Sequence, residues 1–157
     1  MLKIILKSFV VCFLLSACTT FIPKNNLNQA LFVTLYLPKI KIHDFAFLYS
    51  KANTLSLQVY KAAQPFFELK INERICVNRV CYEKRTFNEK FFNNSYYDEL
   101  LEDILRAKPL WNAKNIQKNE CGFIQKFDVY NIVYEVCDGK VNFVDEKSKV
   151  RIKWQKL

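Results

Sequence analysis

The chain is predicted to be mainly β (α+β): a curled antiparallel sheet or half-open barrel packed on one principal helix at about 96–107. Three observations carry this. Apolar and polar residues alternate with a period of two through most of the sequence beyond residue 29, the spacing of half-buried strands. Aromatic residues make up 15% of the 157 residues, and they lie among β-branched residues, the side chains that strands favour. One stretch alone, carrying Tyr97, Leu100, Leu101, Ile104 and Leu105, has its apolar residues on one face of a helix.

Leu31, Val33, Leu35 and Leu37 open the alternation and Pro38 ends it. Phe45, Phe47 and Tyr49 form the next face, then Leu55, Leu57 and Val59. After a break at Ala62-Ala63-Gln64-Pro65 come Phe67, Leu69 and Ile71, with Glu68 and Lys70 opposite. Pro65 has no amide hydrogen to donate to a ladder and so belongs at the loop edge. Late in the chain Tyr130, Ile132, Tyr134 and Val136 alternate, Asp138-Gly139 makes a hairpin turn, and Val141 and Phe143 continue. A last strand sets Val150, Ile152 and Trp154 against Lys149, Arg151 and Lys153.

The helix is placed by its ends. Ser95 is a candidate cap with Asp98 three residues on, Arg106 and Lys108 suit the carboxyl end, and Pro109 closes it. Glu102 is spaced to pair with Arg106. A helix this short is marginal alone, so its apolar stripe must pack on the sheet.

The amino terminus reads as an export signal. Lys3 and Lys7 precede an apolar run from Ser8 to Leu15, too short to span a bilayer, which needs about 20 apolar residues. Leu15-Ser16-Ala17-Cys18 then resembles the lipobox of bacterial lipoproteins. That resemblance implies cleavage before Cys18, diacylglycerol on its thiol and an acylated amino terminus, which is the one covalent group expected; no other cofactor is. Thr19 in place of Asp favours the outer membrane, with the domain facing the periplasm. An uncleaved anchor, or an ordinary signal with an incidental cysteine, is the alternative. The organisation is thus a signal peptide at 1–17, a tether at 18–28 and a single domain at 29–157.

An oxidising compartment makes disulfides of the four cysteines beyond Cys18. Four cysteines allow three pairings. An Asn78-Arg79 turn would set Cys76 opposite Cys81, and a hairpin centred on Val129 would bring Cys121 to Cys137, so this pairing is favoured over zinc held by four thiolates. The net charge is +9 with two glycines. Glycine-rich phosphate loops are therefore absent, and the scattered basic residues suit anionic lipid, saccharide or a solvated face better than nucleic acid. His43 is the sole histidine, which excludes the common zinc triads, and no serine sits in a nucleophile elbow. No catalytic residue and no metal site is predicted, and the chain is read as a non-enzyme.

The order of elements adds a resemblance. A strand-rich first half, the helix at Tyr97-Asp98-Glu99-Leu100-Leu101, Pro109, two hairpins and the closing strand through Trp154 look like the outer-membrane lipoprotein receptor family represented by LolB, of the LolB/LolA-like localisation fold. The resemblance implies a half-open barrel lidded by helices, which takes acylated cargo from a periplasmic lipoprotein carrier and inserts it into the outer membrane. Its protruding loop matches Ala62, Ala63, Gln64, Pro65 and Phe66, with Phe66 in the place of the family's leucine and no glycine after the proline. The second expectation is a docking or scaffolding lipoprotein of an envelope protein complex, with aromatic anchors among Phe91, Phe92, Tyr96 and Trp111.

Overall fold

The computed structural model describes residues 27–62 and 64–157. The signal peptide, the lipidation site Cys18 and most of the tether lie outside the described residues, as does Ala63. Eleven strands form one sheet: β1 (Leu27–Leu37), β2 (Ile40–Lys51), β3 (Thr54–Lys61), β4 (Gln64–Ile71), β5 (Arg74–Val77), β6 (Val80–Glu83), β7 (Ile116–Asn119), β8 (Gly122–Phe127), β9 (Ile132–Cys137), β10 (Lys140–Asp145) and β11 (Val150–Lys156). Two short helices, α1 (Lys84–Phe92) and α2 (Leu100–Leu105), lie between β6 and β7.

The sheet consists of two antiparallel meanders that meet at β1 and β11, in the order β6-β5-β4-β3-β2-β1-β11-β10-β9-β8-β7. The predicted curled sheet or half-open barrel is corrected here: the sheet is open and ends on β6 and β7. Closure requires a tilted, staggered ladder between the terminal strands. These strands are four residues each, and the chain leaves β6 directly into α1 instead of pairing onward. Short edges of this kind also discourage edge-to-edge association.

Alternation holds along the central strands. Leu31, Val33 and Leu35 of β1, Leu55, Leu57 and Val59 of β3, and Val150, Ile152 and Trp154 of β11 all point into one buried face. The helical segment crosses that face from one edge of the sheet to the other. Trp154 Nε1 donates to the Ile104 carbonyl at 3.2 Å, and the rings of Phe92 and Phe143 meet edge to face. In β2 the buried parity belongs to Ile42, Ala46 and Leu48, which leaves Phe45 and Phe47 57% and 43% exposed on the outer face.

The principal helix at 96–107 is also corrected. Only Leu100–Leu105 is helical, and Ser95 makes no side-chain cap. The buried Asn88 is the reason: its Nδ2 donates to the carbonyls of Tyr96 and Tyr97 at 3.3 and 2.9 Å. The Tyr96 carbonyl is thereby engaged outside a helical ladder, the Tyr97 carbonyl is shared with the Leu100 amide at 3.2 Å in a single turn leading into α2, and residues 95–97 have no regular structure. At the other end Ala107 turns left-handed (φ 55°) and the Lys108 amide bonds the Asp103 carbonyl, a helix stop. The unpredicted helix α1 buries Phe87, Asn88, Phe91 and Phe92 and ends on Asn93 at φ 54°.

Asn78 and Arg79, both at positive φ, make the β5–β6 turn and set Cys76 opposite Cys81. Disulfides join Cys76 to Cys81 and Cys121 to Cys137.

Candidate functional site

Beyond α2 the chain enters its most strained segment. Trp111, Asn112 and Ala113 are left-handed in succession, at φ 46°, 54° and 62°, and Asn115 follows at 57°. Asparagine tolerates that region, but each non-glycine residue held there costs about 1–3 kcal/mol and persists only where its surroundings enforce it. The enforcing group is Gln125 of β8, fully buried. Its Oε1 accepts from the Leu110 amide at 2.7 Å, and its Nε2 donates to the carbonyls of Leu110 and Lys114 at 3.0 and 2.6 Å. Leu110 is buried beside it, and Asn115 Nδ2 donates to the Lys126 carbonyl at 3.1 Å. A single left-handed turn of 3-10 type, Trp111–Ala113, and its flanks are thus fastened at three points to a strand.

What this fastening positions is Trp111. Its ring lies 4.4 Å from Phe127 and 5.2 Å from Tyr97, and parallel to Tyr130 at 5.8 Å between centroids. Beside it opens a cleft of about 650 Å³, lined by Tyr97, Glu99, Asp103, Lys108, Trp111 and Asn112. The cleft combines aromatic walls with carboxylates at its floor. Tyr97 donates its hydroxyl to Asp103 Oδ2 at 3.0 Å. Burial pushes the Asp103 carboxyl above its ordinary range even though that hydrogen bond pulls the other way. Burial, and then the Asp103 charge, also raises the Tyr97 and Tyr134 phenols. Tyr134 is wholly buried and its hydroxyl has no partner among the described residues. Glu99 and Glu102 are drawn toward Lys84 at 3.8 and 3.7 Å, and Glu102 pairs with Arg106 at 2.8 Å. The site offers stacking surfaces, acceptors and one lysine, the chemistry of binding.

The residues singled out in the sequence fall in several places. Tyr97 lines the cleft, but Leu100, Leu101, Ile104 and Leu105 are buried to 1% exposure or less and hold α2 to the sheet. Phe91, Phe92 and Tyr96 are buried as well, so of the four candidate aromatic anchors only Trp111 reaches a surface. Tyr96 instead donates its hydroxyl to buried Asp145. Ala62 (φ 50°), Pro65 and Phe66 belong to the β3–β4 hairpin and its bulge, and Phe66 is 61% exposed. His43 sits on the outer face of β2 with its Nδ1 2.8 Å from Thr34 Oγ1, on the side of the sheet opposite the helices. Cys121, Cys137 and Asp138 bring potential metal-ligand atoms together, but both sulfurs are committed to the disulfide. The Gln125 fastening and the strained turn were not predicted; a polar residue at an inward strand position between Phe123 and Phe127 is the one sequence signal for them.

Fold and site together define an open antiparallel sheet of two joined meanders with an aromatic cleft on its helical side. No protein-family model matches the chain, and no curated protein sequence matches it either.

Proposed function

We propose that this protein is a lipid-anchored, non-catalytic docking component of the bacterial cell envelope. It is held to the outer membrane through Cys18 and receives a segment of a partner protein in the Trp111 cleft. The observation that carries the reading is the strain in 111–113. The strained turn holds an indole, packed on Tyr97, Phe127 and Tyr130, at the mouth of a cleft. Aromatic anchors in preformed, partly desolvated pockets are where binding energy concentrates at interfaces. Glu99 and Asp103 against Lys108 suit an extended segment that brings a basic side chain beside an apolar one.

A photo-crosslinking residue at Asn112 in the cell-bound protein tests this. One discrete protein adduct from position 112, lost with Trp111→Ala and absent from Lys118 at the sheet edge, is the expected result. An adduct that survives Trp111→Ala contradicts it.

Receipt and insertion of lipoproteins is the second reading, favoured by the exposed Phe66 on its hairpin. It asks for an apolar cleft to hold acyl chains, whereas the α2 stripe is consumed in the core. In that reading Phe66→Glu abolishes delivery of acylated cargo to the outer membrane; in the docking reading delivery continues.

A further inference from the structure

The outer face of the sheet carries a second surface, remote from the cleft. Phe32, Phe45, Phe47, Tyr60 and Phe66 project from adjacent strands on the side facing away from the helices. Phe32 meets Phe45 at 5.1 Å and Phe47 meets Tyr60 at 5.7 Å between centroids. Lysines surround them: Lys41, Lys51, Lys61 and Lys70 are all exposed, and Lys61 Nζ lies 5.9 Å from the Phe66 ring. One acid, Glu68, shares this part of the face, and it accepts a hydrogen bond from Gln58 Nε2 at 3.0 Å. Next to Phe32 a groove of about 540 Å³ continues across β1, β11 and β10, with Thr34, His43, Lys140, Lys153 and Glu135 on its walls. Exposed aromatic patches of this kind mark contact surfaces. Aromatic rings ringed by lysine suit the headgroup layer of an anionic bilayer.

The position of the amino terminus selects the bilayer over other occupants. In β1, Asn28 stands opposite Tyr49 and Ala30 opposite Phe47, so the chain enters the sheet beside the aromatic patch. From Cys18 to Leu27 a fully extended chain spans about 30 Å at most. We infer that the outer face of β1–β4 lies against the anionic membrane surface in which the anchor sits, leaving the Trp111 cleft directed away from it. This rests on the lipid-anchored reading above.

The test uses the native lipidated protein, its anchor verified by mass, in phosphatidylethanolamine–phosphatidylglycerol vesicles with brominated acyl chains. Against the background of Trp111 and Trp154, the indole added by Phe47→Trp is expected to be quenched at least two-fold, and that added by Lys118→Trp hardly at all. Phe45→Trp repeats the measurement at a neighbouring position. Equal quenching at 47 and 118 overturns the inference. So does an unquenched indole in the Phe47→Trp variant whose emission shifts to the blue only as the protein dimerises, which assigns the face to a second copy. Loss of the anchor shows in the protein's mass before vesicles are added, so failure of the anchored reading is distinct from failure of the face.

Discussion

The side-chain amide of Gln125 pairs with the backbone of Leu110 in both directions, accepting from its amide at 2.7 Å and donating to its carbonyl at 3.0 Å. A strand residue thereby supplies the partners that a loop entering the protein interior would otherwise lack. Gln125→Leu keeps the volume and removes every bond. We expect a loss of about 2–6 kcal/mol in urea unfolding, since the amide and carbonyl of buried Leu110 each lose a partner at roughly 1–3 kcal/mol, while the carbonyl of exposed Lys114 can turn to water. The Trp111 emission should become more accessible to acrylamide; unchanged quenching would show that the turn stands without Gln125.

Tyr96 and Asp145 make a similar bond between the inter-helix segment and β10. Burial first, and Asp145 next, push the Tyr96 phenol from 10.0 up to about 12. A folded pKa above the unfolded one means that this contribution to stability is complete below about pH 10 and is lost as the pH rises through about 12. Unfolding midpoints of the wild type should fall across that window more steeply than those of Tyr96→Phe. At neutral pH the variant should be less stable by about 1–3 kcal/mol, because a buried carboxylate oxygen loses its donor.

Asp103 behaves with the opposite consequence at neutral pH. Its carboxyl is raised from 3.8 mainly by burial, so its share of stability is complete below that ordinary value and is lost as the pH rises through the raised one. Asp103→Asn, which still accepts from Tyr97, is expected to raise the urea midpoint at pH 7 and to leave it unchanged near pH 3, about one unit below the ordinary value.

The disulfide from Cys121 to Cys137 spans 16 residues and that from Cys76 to Cys81 spans five. Loop-closure entropy grows with the span, and a loop of about 15 residues corresponds to about 3 kcal/mol. Replacing Cys121 and Cys137 by alanine should lower stability by about 2–4 kcal/mol, and replacing Cys76 and Cys81 by less, as read from urea unfolding.

The positions of β1–β4 and β9–β11 and the cysteine partners were legible because a period of two and a turn at Asn78-Arg79 are local signals; the short strand β7 was not read. The buried side of β2 was not. Ile42, Ala46 and Leu48 alternate with Phe45 and Phe47, both sets are apolar, and only the pairing of Leu31 with Ala46 decides which faces in. The extent of the helix at 96–107 depended on Asn88, which binds the Tyr96 and Tyr97 carbonyls from eight or nine residues away. Lys84–Phe92 carries Phe87 and Phe91, then Asn88 and Phe92, at helical spacing, but the asparagines and serine that follow it read as loop. Curvature was illegible altogether, because alternation fixes which side of a strand is buried and not whether the outermost strands meet. The cleft was hidden for a related reason: nothing in Trp-Asn-Ala announces a left-handed turn, which is imposed by Gln125 from across the chain.

The membrane reading of the aromatic face requires that the protein be tied to a bilayer. The mass of the amino-terminal peptide of the protein purified from its native membrane measures this directly. The account predicts a peptide that begins at Cys18 and carries diacylglycerol and an amide-linked acyl chain; a peptide that retains residues 1–17, or one with a free thiol at Cys18, contradicts it.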